Sequence, residues 1–205
     1  MIALRRLVRV NDAAATATNI LAHTTLYQLG FAGNLIAVAA YLVVTGLLYK
    51  IFSAVDKTLS LVAALMSVAG SVLIAVGTAF YLTSLSVLTG ARAANPAALE
   101  QAQTFALMLV KLYSQCYNTS LLFFGLYLIL LGILTYKSTF LPRILGVALI
   151  AAGPGWLTFL WPPLARALFP YLLLADVGEL ALVIWLIVRG VNSERWHEQM
   201  RVQTT

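Results

Sequence analysis

The sequence predicts an all-α fold: a polytopic transmembrane helix bundle with five spanning helices and a short N-terminal amphipathic helix. Of its 205 residues, 61% are hydrophobic and only 10% are charged. A soluble domain is usually about 45–50% apolar and about 25% charged, so most of this apolar surface must face lipid. Five apolar runs approach or exceed the roughly 20 helical residues that cross a hydrocarbon core.

The five runs follow one another within a single predicted domain, residues 1–205. An extramembrane segment, residues 1–25, precedes them, and a polar tail, residues 189–205, follows them. None of the runs shows the alternation of a membrane β-strand, which excludes a barrel. The predicted spans are residues 26–49, 59–88, 104–136, 144–161 and 171–188.

The N-terminal segment carries a helix signal of its own. Asn11 and Asp12 can cap a helix, and an alanine- and threonine-rich stretch follows them. We interpret this stretch as a short amphipathic helix on the outer face of the membrane.

The second and third spans are longer than a membrane requires. Each has about 30 residues, or about 45 Å of helix, against a hydrocarbon core of about 30 Å. Asn95-Pro96, between them, is a turn and helix-restart signal. We predict a hairpin whose tip rises above the outer surface; strong tilting of both helices is the alternative.

Two local patterns predict how the helices pack. Gly153-Pro154-Gly155 in the fourth span predicts a kink or break near mid-membrane. A stripe of small side chains in the second span predicts close approach of a neighbouring helix. Its members recur every four residues: Ala63, Ser67, Ser71, Ala75 and Ala79.

The net charge of +6 comes from basic residues scattered at the ends of the apolar runs. Basic residues in this position set membrane topology. We therefore expect the lipid bilayer as a partner and do not expect nucleic acid. Seven basic residues fall on the side of the C-terminus and five on the other side, which predicts a cytoplasmic C-terminus. An odd number of spans then places the N-terminus outside, although Arg5, Arg6 and Arg9 oppose this placement.

The chain carries no sequence motif for metal, phosphate or nucleophilic chemistry. Its two histidines, His23 and His197, fall in extramembrane segments on opposite predicted sides. We therefore assign no catalytic residue, no metal ligand and no cofactor from the sequence.

The informative residues are polar ones inside the apolar runs, because they are costly in lipid and usually face the bundle interior. Asp176 and Glu179 lie three residues apart and share a face of the fifth helix. An ionised, unpaired Glu179 would cost about 2.5 kcal/mol or more near mid-membrane, so we expect it to be protonated or hydrogen-bonded. Its expected partners are Asn34, Tyr41 and Asn118. These residues could hold the helices in register, line a ligand or ion pocket, or carry proton or catalytic chemistry.

Three stretches resemble a known family. They are NDAAATATNILAHTTLYQLG at Asn11–Gly30, NTSLLFFGLYLILLGILTYKSTFLPRILGVALIAAGPG at Asn118–Gly155, and GELALVIWLIVRGVN at Gly178–Asn192. They are similar, in the same order, to the bacterial domain of unknown function 4386 family. The resemblance implies a multi-pass bacterial plasma-membrane protein and gives no activity.

The chain departs from the family pattern in two respects. Family members usually have one more apolar helix ahead of the N-terminal segment, so we expect an open apolar groove beside the first span. A second copy of the chain, a captured lipid or a partner membrane helix would cover this groove. Thr24, Tyr113 and Tyr127 also stand at or near positions where the family often has acidic or histidine residues, which weakens a histidine-based site. Glu179, in the GEL string, is kept.

The expected function is non-enzymatic binding of a small apolar or amphipathic ligand, or of a partner helix, within the bundle. An intramembrane enzyme or proton-coupled protein that uses Glu179 and Asp176 is one alternative. A purely structural membrane subunit is the other.

The topology can be tested by cysteine labelling in a Cys116→Ser background. We expect a membrane-impermeant maleimide to label Asn95→Cys in intact cells, and Ser193→Cys only after permeabilisation. The opposite pattern would show that the charge argument is wrong.

Overall fold

The structure is a computed structural model that describes residues 7–9, 11–160 and 162–203. Among these, the side chains of residues 160, 162, 165, 166, 168–176 and 203 are not described. Trp161 and Tyr171, whose places at the ends of apolar runs are typical of membrane-interface anchors, therefore lie outside the described side chains. The described residues form helices, turns and loops, with no β-strand among them.

Seven α-helices occur in this part of the chain, with a short 3₁₀ helix at Thr158–Leu160 between the fifth and the sixth. In chain order they are α1 (Ala13–Ala22), α2 (Thr24–Phe52), α3 (Lys57–Ala94), α4 (Pro96–Lys137), α5 (Arg143–Leu157), α6 (Pro162–Val188) and α7 (Ser193–Gln203). The all-α class is confirmed. Three of the described helices, α2, α3 and α4, are long and apolar enough to cross a membrane.

The two longest helices, α3 and α4, are joined by Asn95 alone. They have 38 and 42 residues, about 57 and 63 Å at 1.5 Å per residue. The second span was predicted to end at residue 88, but α3 continues to Ala94. It stops there because Pro96 disfavours helical geometry in the residue before it. The Asn95 side chain then accepts a hydrogen bond of 2.8 Å from the Ala98 amide and caps α4.

The chain divides into two compact units, and α2, α3 and α4 each contribute to both. Unit 1 contains the chain up to Ala40 and Val72–Tyr117. Unit 2 contains Tyr41–Ser71 and the chain from Asn118 onward.

Unit 1 is built around three fully buried tyrosines, Tyr27, Tyr81 and Tyr113. The rings of Tyr27 and Tyr81 stack with centroids 4.0 Å apart, and Tyr113 meets Tyr81 edge-on at 5.3 Å. The N-terminal helix α1 begins after Asp12, whose carboxylate accepts a hydrogen bond from the Ala15 amide at 2.8 Å. Its buried Ile20 belongs to the same apolar cluster as the tyrosines.

Unit 2 has an apolar core of leucines and phenylalanines from α2, α4 and α5, including Phe52, Leu131 and Leu149. The C-terminal segment, predicted only as a polar tail, forms helix α7 and docks on this unit. The Trp196 indole donates a hydrogen bond of 2.9 Å to the Ile51 carbonyl. The Gln199 side-chain oxygen accepts from the Thr139 amide at 3.0 Å. The chain segments after α2, α4 and α6 therefore meet at one end of unit 2.

Helices α4 and α5 pack through glycines that lie seven residues apart on each helix. Gly125 faces Gly153, and Gly132 faces Gly146. A β-carbon on Gly132 would lie 2.7 Å from the Ile150 amide nitrogen and 2.8 Å from the Gly146 carbonyl oxygen. Backbone atoms cannot yield to such a contact, so only glycine allows this helix separation.

The Gly153-Pro154-Gly155 segment does not break α5 where the sequence suggested. The α-helix continues through Pro154 to Leu157 and only then tightens into the 3₁₀ turn. The Thr158 hydroxyl donates a hydrogen bond of 2.7 Å to the Gly155 carbonyl, so a neighbouring side chain satisfies a carbonyl near the helix end.

The predicted small-residue stripe on α3 is buried over only part of its length. Ala63, Ser67 and Ser71 are buried, whereas Ala75 is half-buried and Ala79 is exposed. The glycine pairs of α4 and α5, which sequence analysis did not single out, make the closer helix contact.

We expect Gly132→Ala to lower the free energy of unfolding by about 1–3 kcal/mol, because the methyl group overpacks the α4–α5 contact. Gly46→Ala is the matched control, since no neighbouring atom lies within 4 Å of its β-carbon position and alanine favours a helix over glycine. Reversible unfolding in mixed micelles measures both. Equal stability of the two variants would contradict the close packing.

Candidate functional site

Helix α2 presents a stripe of polar side chains: Tyr27, Asn34 and Tyr41, spaced seven residues apart, and Thr45, one turn after Tyr41. Only 11% of the most apolar stretch of α2 is buried, compared with 50% for α4. Apolar packing therefore holds α2 weakly, and the polar stripe carries its side-chain hydrogen bonds to other helices.

In unit 1 the stripe binds α3 and α4. The hydroxyls of Tyr27 and Ser84 lie 2.7 Å apart, and the Tyr81 hydroxyl donates to the Tyr27 carbonyl at 3.0 Å. The Asn34 amide donates to the Tyr113 hydroxyl at 3.1 Å. All of these groups have partners within unit 1, so the cluster holds α2 against α3 and α4 by hydrogen bonds.

In unit 2 the stripe reaches the predicted carboxylate. The Tyr41 hydroxyl donates a hydrogen bond of 3.3 Å to Oε1 of Glu179 on α6. One turn further along α2, the hydroxyls of Thr45 and Ser67 lie 2.6 Å apart in the buried interior. Glu179 itself is half-buried.

Aromatic rings from α4 surround the Tyr41 side of this pair. Phe124 meets the Tyr41 ring edge-on with centroids 5.0 Å apart, and Tyr127 does so at 6.4 Å. Tyr127 is almost fully buried. The carboxylate is thus bonded to one phenol, and a second tyrosine packs against the ring of that phenol.

A glycine contact fixes the part of α6 that carries Glu179. A β-carbon on Gly178 would lie 2.9 Å from the Ala148 carbonyl oxygen of α5. Because Gly178 faces α5 this closely, the next residue along the helix turns toward a different neighbour, which is Tyr41 of α2.

The five residues predicted for the site have different surroundings. Tyr41 and Glu179 are hydrogen-bonded in unit 2, and Asn34 is bonded to Tyr113 in unit 1. Asn118 is exposed on α4, and the side chain of Asp176 lies outside the described residues. A pocket role for the five remains a prediction.

Sequence reasoning missed Tyr127 and Thr45 as neighbours of Tyr41, and it missed the hydrogen bond between Thr45 and Ser67. Thr45 could have been identified from the sequence, because it is a polar residue one helical turn from Tyr41 in an apolar run. Tyr127 could not have been identified in this way, because a tyrosine in an apolar helix resembles an ordinary core or interface residue.

The arrangement suits hydrogen bonding and proton holding better than covalent chemistry. A carboxylate bonded to a phenol can accept a further hydrogen bond from a ligand or hold a proton. Among the described residues, no group of three His, Cys, Asp or Glu side chains is placed to hold a metal ion.

Comparison with known proteins gives a family and no activity. No curated protein and no solved structure matches the chain. The family model described as "Domain of unknown function (DUF4386)" matches residues 1–190, nearly the whole length. The chain belongs to this family.

Proposed function

We propose that this protein is a five-span bacterial plasma-membrane protein that binds a small amphipathic ligand at Tyr41 and Glu179. Two features support five spans beyond the three long helices. Helix α5 with its 3₁₀ turn covers residues 143–160, and α6 covers 27 residues. A hydrocarbon core takes about 17–25 helical residues, and more where a helix is tilted, so the first length suits a crossing and the second suits a tilted one.

The docking of α7 supports a cytoplasmic C-terminus. It joins the ends of α2, α4 and α6 at one end of unit 2. If α2 to α6 cross the membrane in turn, these three helices are alternate spans and must end on the same side. Exposed basic residues lie at or next to these helix ends: Lys50, Lys57, Lys137, Arg143, Arg189 and Arg195. Basic residues are enriched in cytoplasmic loops.

The hydrogen bond between Tyr41 and Glu179 carries the ligand proposal. The carboxylate provides one polar point at the edge of an apolar bundle, where it can accept a hydrogen bond from an amine or hydroxyl head group. Next to it, Leu180, Val183 and Ile184 of α6 are exposed. An apolar tail would lie along these side chains, so the surroundings fit an amphipathic molecule better than a wholly polar one.

Proton handling at Glu179 is the second candidate. The specific observation that favours it is the hydrogen bond from Tyr41 to a half-buried carboxylate, with the Tyr127 ring packed against Tyr41. In this case Glu179→Gln would abolish activity while the protein still folds, whereas a purely structural role makes the same substitution almost silent.

The exposed apolar face of α2 also provides a surface on which another protein could pack. We propose that a second copy of the chain packs on its exposed face, which includes Val43, Val44 and Leu47. Interfaces of this kind bury lipid-facing surface through close packing. A monomeric particle in the experiment below would contradict this part of the proposal.

Native mass spectrometry of the purified protein in mild detergent tests the ligand and the oligomer together. We expect a dimer that retains a bound amphipathic molecule, and we expect Glu179→Leu to lose the molecule because the acceptor is removed. Glu194→Leu is the control, since Glu194 is an exposed carboxylate on α7. Equal ligand retention by both variants would contradict binding at Glu179.

A further inference from the structure

The last turn of α4 and the first turn of α5 form an exposed surface that combines two basic side chains with one aromatic ring. A β-carbon on Gly146 would lie 2.6 Å from the Tyr136 amide nitrogen, so the two helices meet here through their backbones. At this contact the guanidinium carbon of Arg143 lies over the Tyr136 ring, 5.7 Å from its centroid. Lys137 is the next residue of the chain, and all three side chains are exposed.

The stacked guanidinium of Arg143 has the geometry to bind a phosphate. Stacking uses one face of the group, and its N–H donors lie at the edges, where two of them match two phosphate oxygens. Within the part of the chain that the structure describes, no hydrogen bond or ion pair occupies these donors. Lys137 adds a second positive charge next to Tyr136 in the chain.

The charge of this end of unit 2 favours an anionic partner. Three acidic residues lie here, none of them on α4 or α5: Glu194 and Glu198 belong to α7, and the Asp56 carboxylate accepts a hydrogen bond of 2.8 Å from the Leu59 amide. Seven basic residues lie at the helix ends and on α7, namely Lys50, Lys57, Lys137, Arg143, Arg189, Arg195 and Arg201.

The exposed side chains that follow Arg143 along α5 indicate which kind of anion fits. They are Ile144, Val147, Ala151 and Pro154, and they form the apolar stripe of α5. Their spacing of three and four residues places them on one helix face. The helix rises about 16 Å from Arg143 to Pro154, which is about half of a hydrocarbon core of about 30 Å. The stripe therefore has the length of one lipid leaflet, and a soluble anion would leave it unused.

We propose that Arg143, stacked on Tyr136 and with Lys137 beside it, binds the phosphate group of an anionic phospholipid whose acyl chains lie along the apolar stripe of α5. The site is separate from the one proposed at Glu179, where a carboxylate would repel a phosphate. Only the assignment to the cytoplasmic leaflet rests on the topology proposed above.

A lipid titration of the delipidated protein in a non-ionic detergent, followed by native mass spectrometry, tests the site. We expect phosphatidylglycerol to bind severalfold more tightly than phosphatidylethanolamine, because only the first has a net negative charge at neutral pH. Equal affinity of the unmodified protein for the two lipids would overturn the proposal, and this comparison needs no variant to fold.

Two variants that each remove one positive charge locate the binding. We expect Arg143→Gln to weaken the binding of phosphatidylglycerol about tenfold, the effect of losing a hydrogen bond to a charged group. Lys57→Gln is the matched control, since Lys57 is exposed at the same end of unit 2 but lies on α3, and it should change the affinity much less. Equal losses in the two variants would show that net charge alone attracts the lipid.

Two further arms separate this proposal from its alternatives. Glycerol phosphate, which has no acyl chain, should not displace phosphatidylglycerol at the same concentration; displacement would show that the surface binds a soluble phosphate instead. Glu179→Leu should retain phosphatidylglycerol, and Arg143→Gln should retain the ligand proposed for Glu179, so the failure of one proposal is visible without the other. Loss of phosphatidylglycerol from Glu179→Leu would contradict a separate site at Arg143.

Discussion

Hydrogen bonds along one stripe of α2 are the interaction on which much of this structure depends. Within a bilayer, lipid is as apolar as leucine, so burying apolar side chains does not drive helices together. Helix α2 illustrates the consequence, since little of its apolar surface is buried while Tyr27, Asn34, Tyr41 and Thr45 bond to neighbouring helices. Each of these groups would be costly without a partner in lipid.

Close backbone contact is the other source of cohesion, and it positions the candidate site. The glycine pairs between α4 and α5 bring two helices into direct backbone contact, and Gly178 does the same for α6 and α5. Because Gly178 sets the rotation of α6, the adjacent Glu179 turns toward Tyr41. The geometry of the carboxylate is therefore a consequence of packing between helices that do not themselves bind it.

The sequence predicted the helical class and the surroundings of Glu179 in part, for identifiable reasons. Apolar runs and the Asn95-Pro96 signal are local properties, so the α3–α4 hairpin could be recognised, and Tyr41 could be chosen because it is polar in an apolar run. The glycine pairs could not be predicted, because a glycine in a membrane helix gives no indication of which residue it will face. The helix α7 was read as a tail because its contacts with Ile51 and Thr139 are distant in sequence.

A double-mutant cycle between Thr45 and Ser67 tests most directly whether hydrogen bonds hold α2. Thr45→Val and Ser67→Ala each remove one hydroxyl of the 2.6 Å pair, and reversible unfolding of the single and double variants in bicelles gives their coupling free energy. The account predicts a favourable coupling of about 0.6 kcal/mol, and at most about 1.7 kcal/mol. A coupling indistinguishable from zero would contradict it.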